Sequence, residues 1–164
     1  MQGTMPELIA IPASVELEGK TLVWAFSKKQ LDMVLQDIVV KSSENTGVQC
    51  VSRTEWQDLE LPIVSFEKYF GLKQKETSVV PKYCVVKGAY TQVGSPVLVR
   101  IAIELQSNIK ILHCNIECAP VSADILPKRN SDILGAFGLK AGVTMIVPDI
   151  AKIWENTNMG IYPE

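Results

Sequence analysis

The sequence predicts an all-β protein with a few short helices, folded as a sandwich or as small barrels. Three observations carry this expectation. Short runs of β-branched and aromatic residues recur along the chain between turn-forming residues, and little of the sequence keeps a helical period. Residues 96–105 (PVLVRIAIEL) alternate, with Val97, Val99, Ile101 and Ile103 on one side and Leu98, Arg100, Ala102 and Glu104 on the other. That pattern describes a strand with one fully buried face and one mixed face. Finally, one short pattern is written twice, as LPIVSFEKYFGL at residues 61–72 and MIVPDIAKIWEN at residues 145–156. Each has an apolar run, then a small polar residue that caps a helix, Ser65 or Asp149, then apolar side chains at matching offsets, with Lys68 and Lys152 in the same place. A small barrel exposes core at its open end, and a short helix with one apolar face can close it. Two such closures imply two barrels.

Taken in order, the elements are as follows. The opening MQGTMPELIAIPASVELEGK has no basic start before its short apolar stretch, and acids interrupt that stretch, so no secretory signal is expected. Residues 21–26 (TLVWAF) predict a strand before a Ser-Lys-Lys turn. QLDMVLQDIVV, residues 30–40, fits two templates. Leu31, Val34, Leu35 and Ile38 keep a helical period, whereas Leu31, Met33 and Leu35 alternate, and periodicity alone slightly favours helix. Residues 41–47 (KSSENTG) predict a loop. Strands follow at 48–51 and 59–64, and Pro62 inside the second implies an edge or a bulge. GLKQKETSVVP, residues 71–81, is a polar connector that divides two halves.

In the second half, residues 83–86, 96–105 and 108–116 are strongly β in character. Residues 119–130 contain two prolines and predict irregular structure. Residues 134–139 and 143–147 predict a hairpin around Lys140-Ala141-Gly142, with glycine supplying the positive φ of the turn. Asp149 then starts the closing helix.

The chain of 164 residues is 47% hydrophobic and 21% charged, in the range of ordinary globular domains. Its formal charge of −2 gives no phosphate-tracking surface, so nucleic acid is not an expected partner. No apolar run is long enough to cross a bilayer as a helix, so no direct membrane insertion is expected. Cys50, Cys84, Cys114 and Cys118 form no CxxC pair, and without an export signal they are expected as reduced thiols in a cytoplasm.

No catalytic or metal set is expected. His113, the one histidine, adjoins Cys114, and in a strand their side chains leave opposite faces. A metal or nucleophile site drawing on His113, Cys50, Cys84 and Cys118 remains the enzymatic alternative, and structural cysteines in a β core are the plainer reading. GAFGLKAG lacks the GK[ST] ending of a phosphate loop. Glu16 and Glu18, and Glu55, Asp58 and Glu60, read as solvated charge. Trp24 and Trp154 are expected in the core. Trp56, in the polar setting RTEWQD, is either a half-buried lid or an exposed anchor for a partner. With no cofactor expected, the chain reads as a binding protein; a β-barrel that holds a small ligand is the remaining alternative.

At this point the residues resemble a family. ELPIVSFEKYFGL is similar to the strand and short helix, of the form lPV-x-[DS]-L-…-GL, of the chemotaxis coupling proteins, the CheW-like domains. YCVVKGA falls where that family has its next strand. DILGAFGLKAGVTMIVPDIAKIW resembles the closing hairpin and helix, with Gly135, Gly142 and Asp149 at its landmarks, and TLVWAF followed by LQDI resembles the first strands. The resemblance covers residues 20–156. It implies one CheW-like domain over 1–164, made of two packed five-stranded β-barrel subdomains: 20–72 with the C-terminal closing segment, and 80–147. It makes residues 30–40 mainly strand.

The resemblance also implies a non-catalytic adaptor in the bacterial cytoplasm that links a chemoreceptor to the regulatory domain of a histidine kinase. Leu35, Gln36 and Asp37 match the segment near the kinase-facing end of the first barrel. The receptor-facing motif N-L-R-G falls on Glu55, Trp56, Gln57 and Asp58, and none of the four matches. Gln57 replaces a guanidinium by a neutral amide, and Asp58 adds a negative charge beside it. Arg100 stands about where the second barrel of the family usually has an acid.

Overall fold

The computed structural model describes residues 7–40, 52–72, 82–105, 107–113, 118–121, 125–127, 130–139 and 142–158. Among the described residues, eleven strands and two short α-helices run in the order β1 (Glu7–Leu17), β2 (Lys20–Ser27), β3 (Leu31–Leu35), β4 (Arg53–Trp56), β5 (Leu59–Val64), α1 (Phe66–Tyr69), β6 (Lys82–Gln92), β7 (Ser95–Leu105), β8 (Lys110–His113), β9 (Cys118–Pro120), β10 (Ile133–Leu139), β11 (Val143–Pro148) and α2 (Ile150–Asn158). They form a six-stranded sheet, β8-β1-β2-β11-β10-β9, and a five-stranded sheet, β3-β6-β7-β5-β4. The all-β class, with short helices and two packed sheets, is as the sequence predicts.

The six-stranded sheet is strongly curled. Laid flat, six strands would separate β8 from β9 by about 24 Å, at ~4.8 Å per step. His113 ends β8 and Cys118 begins β9, and five residues of chain reach at most about 18 Å. The two edges therefore bend toward one another.

Residues 31–35 are strand, as the family resemblance implies and against their slight helical period. The 3₁₀ turn Lys28–Gln30 explains the choice. Ser27 Oγ accepts from Lys29 N, Gln30 Oε1 accepts from Ser27 N, and Gln30 Nε2 donates to the Lys87 carbonyl on β6. The chain thereby leaves β2 and lands alongside β6, where ladder bonds outweigh helix propensity. Pro62 does not sit on an edge strand, because β5 runs between β7 and β4. Pairing with β7 begins only at Ile63, after the proline, so no ladder bond to β7 needs the missing N–H. Three further strands escape the sequence expectations. β4 falls between the strands expected at 48–51 and 59–64. β1 precedes the first strand that the resemblance supplies, and β9 lies partly in the stretch expected to be irregular. The strand expected at residues 48–51 lies outside the described residues.

The twice-written pattern has a common geometry. β5 and β11 each join their sheet by a parallel pairing, to β7 and β2 respectively. Each then passes through its cap into a helix. Ser65 Oγ accepts from Lys68 N at 3.5 Å, and Asp149 Oδ1 accepts from Lys152 N at 3.3 Å. Each helix crosses over and covers the sheet it did not come from. From α1, Phe66 and Phe70 pack on Trp24 of β2, both ring centroids at 5.3 Å. From α2, Ile150 lies over Gly88 of β6, and Trp154 stacks on Tyr90. One core joins both sheets, with Ile9, Ile11, Leu22 and Phe26 from one, Cys84, Val86, Ile101 and Ile103 from the other, and Ile150 and Ile153 from α2.

Where the helices meet, Tyr69 donates to Asp132 Oδ2 at 2.5 Å, and Asn156 donates to both the Tyr69 hydroxyl and the same carboxylate oxygen. Glu67, only 3% exposed, accepts from Ser14 N with Oε1 at the irregular step of β1 between Pro12 and Glu16. That bond serves a backbone N–H in the stretch of β1 that lies outside the ladder with β2. Three tight hairpins have positive φ at both central residues: Glu18-Gly19, Gln57-Asp58 and Val93-Gly94.

Three outcomes follow. A Cβ added at Gly88 would lie 2.9 Å from Ala151 N and 3.0 Å from Ile150 Cβ. Gly88→Ala is therefore expected to cost about 1–3 kcal/mol in urea unfolding, because α2 must lift off β6. Val93 combines a β-branched side chain, φ of 51° and 98% exposure, so Val93→Asn removes strain without losing packing. It is expected to gain about 1 kcal/mol in the same measurement. Burial pushes the Cys84 thiol from its ordinary 9.0 up to about 12. Its folded pKa exceeds its unfolded one, so this contribution to stability is complete below pH 9 and is lost as pH rises toward 12. Site-resolved mass spectrometry should show Cys84 alkylated at pH 8 only as fast as the chain unfolds.

Candidate functional site: a groove on the outer face of the five-stranded sheet

The five-stranded sheet has a second apolar face, directed away from the main core. Leu61, Ile63, Val85 and Ala102 form a small buried cluster there, and Leu35, Ile38, Trp56 and Tyr83 pack against it. Strand alternation dictates this. Val85 and Ala102 pair across β6 and β7, and their sequence neighbours Cys84, Val86, Ile101 and Ile103 face the main core. Burial and then the nearby Glu104 carboxylate raise the Tyr83 phenol above its ordinary 10.0.

This cluster is covered only in part. Between the chain leaving β3 and the β4–β5 hairpin lies a groove of about 580 Å³, lined by Leu35, Asp37, Ile38, Val39, Thr54, Glu55, Trp56, Gln57 and Asp58. Trp56 is half-buried, which favours the lid role over a fully exposed anchor. The Arg100 guanidinium lies 5.9 Å from its ring centroid, within cation–π range. Arg100 is held in turn by Asp32, with Nε to Oδ2 at 2.7 Å, and Lys87 Nζ lies 3.4 Å from the other oxygen of the same carboxylate. These ion pairs are partly solvated and contribute ~1 kcal/mol at most; their effect is to orient Arg100 against the indole.

The groove brings together residues from both segments singled out in the sequence. Leu35 and Asp37 line it from one side, and Glu55, Trp56, Gln57 and Asp58 from the other. Gln36 is exposed and is not part of the lining. Gln57 and Asp58 form the two-residue turn between the paired Trp56 and Leu59, with φ of 47° and 63°. The position where the resemblance expects glycine is thus left-handed, and an aspartate occupies it at some cost in strain. Ile38, Val39 and Thr54 were not anticipated as groove residues. Ile38 appeared in the sequence only as part of an apolar period, and neither Val39 nor the buried Thr54 carries a motif.

Cys84 is buried in the core. His113 and Cys118 lie on strands at opposite ends of the six-stranded order; their side chains, and Cys50 and Cys114, are outside the described set. Among the described residues no three His, Cys, Asp or Glu side chains gather as metal ligands, and no helix is long and apolar enough to cross a membrane.

Comparison with known proteins identifies the fold. No family model matches the sequence, and no curated protein matches it. Among solved structures, the chain is similar to the scaffolding protein TtCheW from Thermoanaerobacter tengcongensis, with a TM-score of 0.58 at 10% identity, covering 88% of this chain and 89% of that one. The chain therefore has the CheW-like fold over nearly its whole length.

Proposed function

We propose that this chain is a non-catalytic adaptor of chemotaxis-type signal transduction in the bacterial cytoplasm, coupling a chemoreceptor to the regulatory domain of a histidine kinase by docking. The observation that carries this is the groove. It combines a half-buried indole, a partly covered apolar cluster and a hairpin tip, and it joins Leu35 and Asp37 with Glu55, Trp56, Gln57 and Asp58. Such a surface is built to bury a partner's side chains. The likeness in fold to a scaffolding protein supports the choice of partner class. The chain acts as one domain, because the stretches 20–72 and 80–147 each contribute strands to both sheets. A ligand site inside the six-stranded sheet is disfavoured, because Trp24, Phe26, Phe66, Tyr69 and Phe70 fill the space beneath it.

The test is isothermal titration of the purified protein with the regulatory domain of a histidine kinase, and with the signalling tip of a chemoreceptor, from the same cell. Association with at least one at about 50 μM or tighter is expected. Trp56→Ala is expected to weaken it about tenfold or more with an unchanged circular dichroism spectrum. Val39→Ser, at a side chain 74% exposed, should weaken it by a smaller factor without touching the core. No association with either partner overturns the adaptor function.

A further inference from the structure

We propose that two copies of this chain pair through the free edge of β6, so that their β6–β7 hairpins lie side by side in an isologous dimer. β6 and β7 stay paired to Gln92↔Ser95, the last pair before the Val93-Gly94 turn. Their neighbours do not follow them. β3 pairs with β6 only from Tyr83 to Val86, and β5 pairs with β7 only at Ala102 and Ile103. The six pairs from Lys87↔Arg100 to Gln92↔Ser95 therefore project as a two-stranded arm about 17 Å long. Pairs in such a hairpin alternate between bonded and non-bonded, and the pair flanking a two-residue turn is bonded. Lys87, Ala89 and Thr91 accordingly aim their N–H and C=O groups away from β7. The Lys87 carbonyl shows this directly, since it accepts from Gln30 Nε2 at 3.0 Å on that side. Among the described residues no strand or side chain pairs with Ala89 or Thr91 there. The opposite edge of the arm is interrupted by Pro96, which faces Thr91 and has no N–H to offer.

Charge selects a second copy as the occupant. Exposed strand edges are ordinarily guarded by charged side chains, lysine above all. Residues 88–99 (GAYTQVGSPVLV) carry none, and Tyr90, Val93 and Leu98 expose apolar surface along them. A charged strand from another protein would find no counter-charge on this arm. Across a two-fold axis each segment meets a copy of itself, so any charge it carries meets its like. The uncharged arm satisfies that condition. The other edge strands do not: β3 carries Asp32, β4 carries Arg53 and Glu55, β8 carries Lys110, and β9 is only three residues long and ends in Pro120. Ala89 and Thr91 are exposed and small, which lets a second backbone approach the edge closely.

The experiment is sedimentation velocity on the full chain, without kinase or receptor, so its failure leaves the docking function untouched. Self-association with a Kd of about 100 μM is expected for so small a contact, and the average mass should climb toward twice that of one chain between about 10 and about 500 μM. Thr91→Pro removes one outward N–H without touching the ladder to β7, and should weaken association about tenfold or more with an unchanged circular dichroism spectrum. Two double variants test the same edge by charge. Ala89→Lys with Thr91→Lys, and Ala89→Glu with Thr91→Glu, should each remain monomeric to about 500 μM, whereas their equimolar mixture should associate at least as tightly as the original chain. The mixture decides even where proline disturbs the hairpin, because restored association requires both variants to be folded. A constant monomer mass to about 500 μM overturns the proposal, since a weaker contact would not hold two chains together. Self-association that Thr91→Pro leaves undiminished overturns it too, as does a mixture of the lysine and glutamate variants that stays monomeric.

Discussion

The structure depends on an exchange of helices between its two sheets. Each sheet has an apolar inner face, and the helix that covers it arrives from a strand of the other. α1 leaves β5 of the five-stranded sheet and packs on Trp24 of the six-stranded one, and α2 leaves β11 of the six-stranded sheet and packs on β6 and β7. Pulling the sheets apart would therefore expose both apolar faces and both helices together. Side chains such as Phe66, Phe70, Ile150 and Ile153 each contribute about 1.5–3 kcal/mol on burial, and all four are buried at this junction. The Tyr69, Asp132 and Asn156 hydrogen bonds fix how the two helices meet, since a buried carboxylate and phenol left unpaired would cost more than either bond contributes.

That exchange also explains the groove. The helices cover the inner faces, which leaves the outer face of the five-stranded sheet to whatever the chain can lay over it. It lays down Ile38 and Trp56, and they cover the cluster of Leu61, Ile63, Val85 and Ala102 incompletely. A sheet that is apolar on both faces but fully covered on only one leaves surface for another molecule. Arg100 and Asp32 hold the indole from one side, so its orientation is set within the folded chain.

Much of this was legible in the sequence by itself. Alternation in residues 96–105 determined a strand whose odd-numbered side chains from Val97 to Ile103 share a face, and Ser65 and Asp149 declared both helix starts. Gly142, with φ of 72°, marked the closing hairpin. Such signals are local, because a cap, a turn or a two-residue period acts within a few residues of itself. The tertiary structure decided the rest. Residues 31–35 satisfy a helical and an extended pattern, and only the open edge of β6 settled the choice. β5 accepted Pro62 internally because β7 begins to pair with it one residue later. The two halves of the groove lie some twenty positions apart along the chain and carry no shared motif. Which sheet each helix covers, and which residues therefore share a surface, follows from contacts between segments distant in sequence, and no local pattern encodes those.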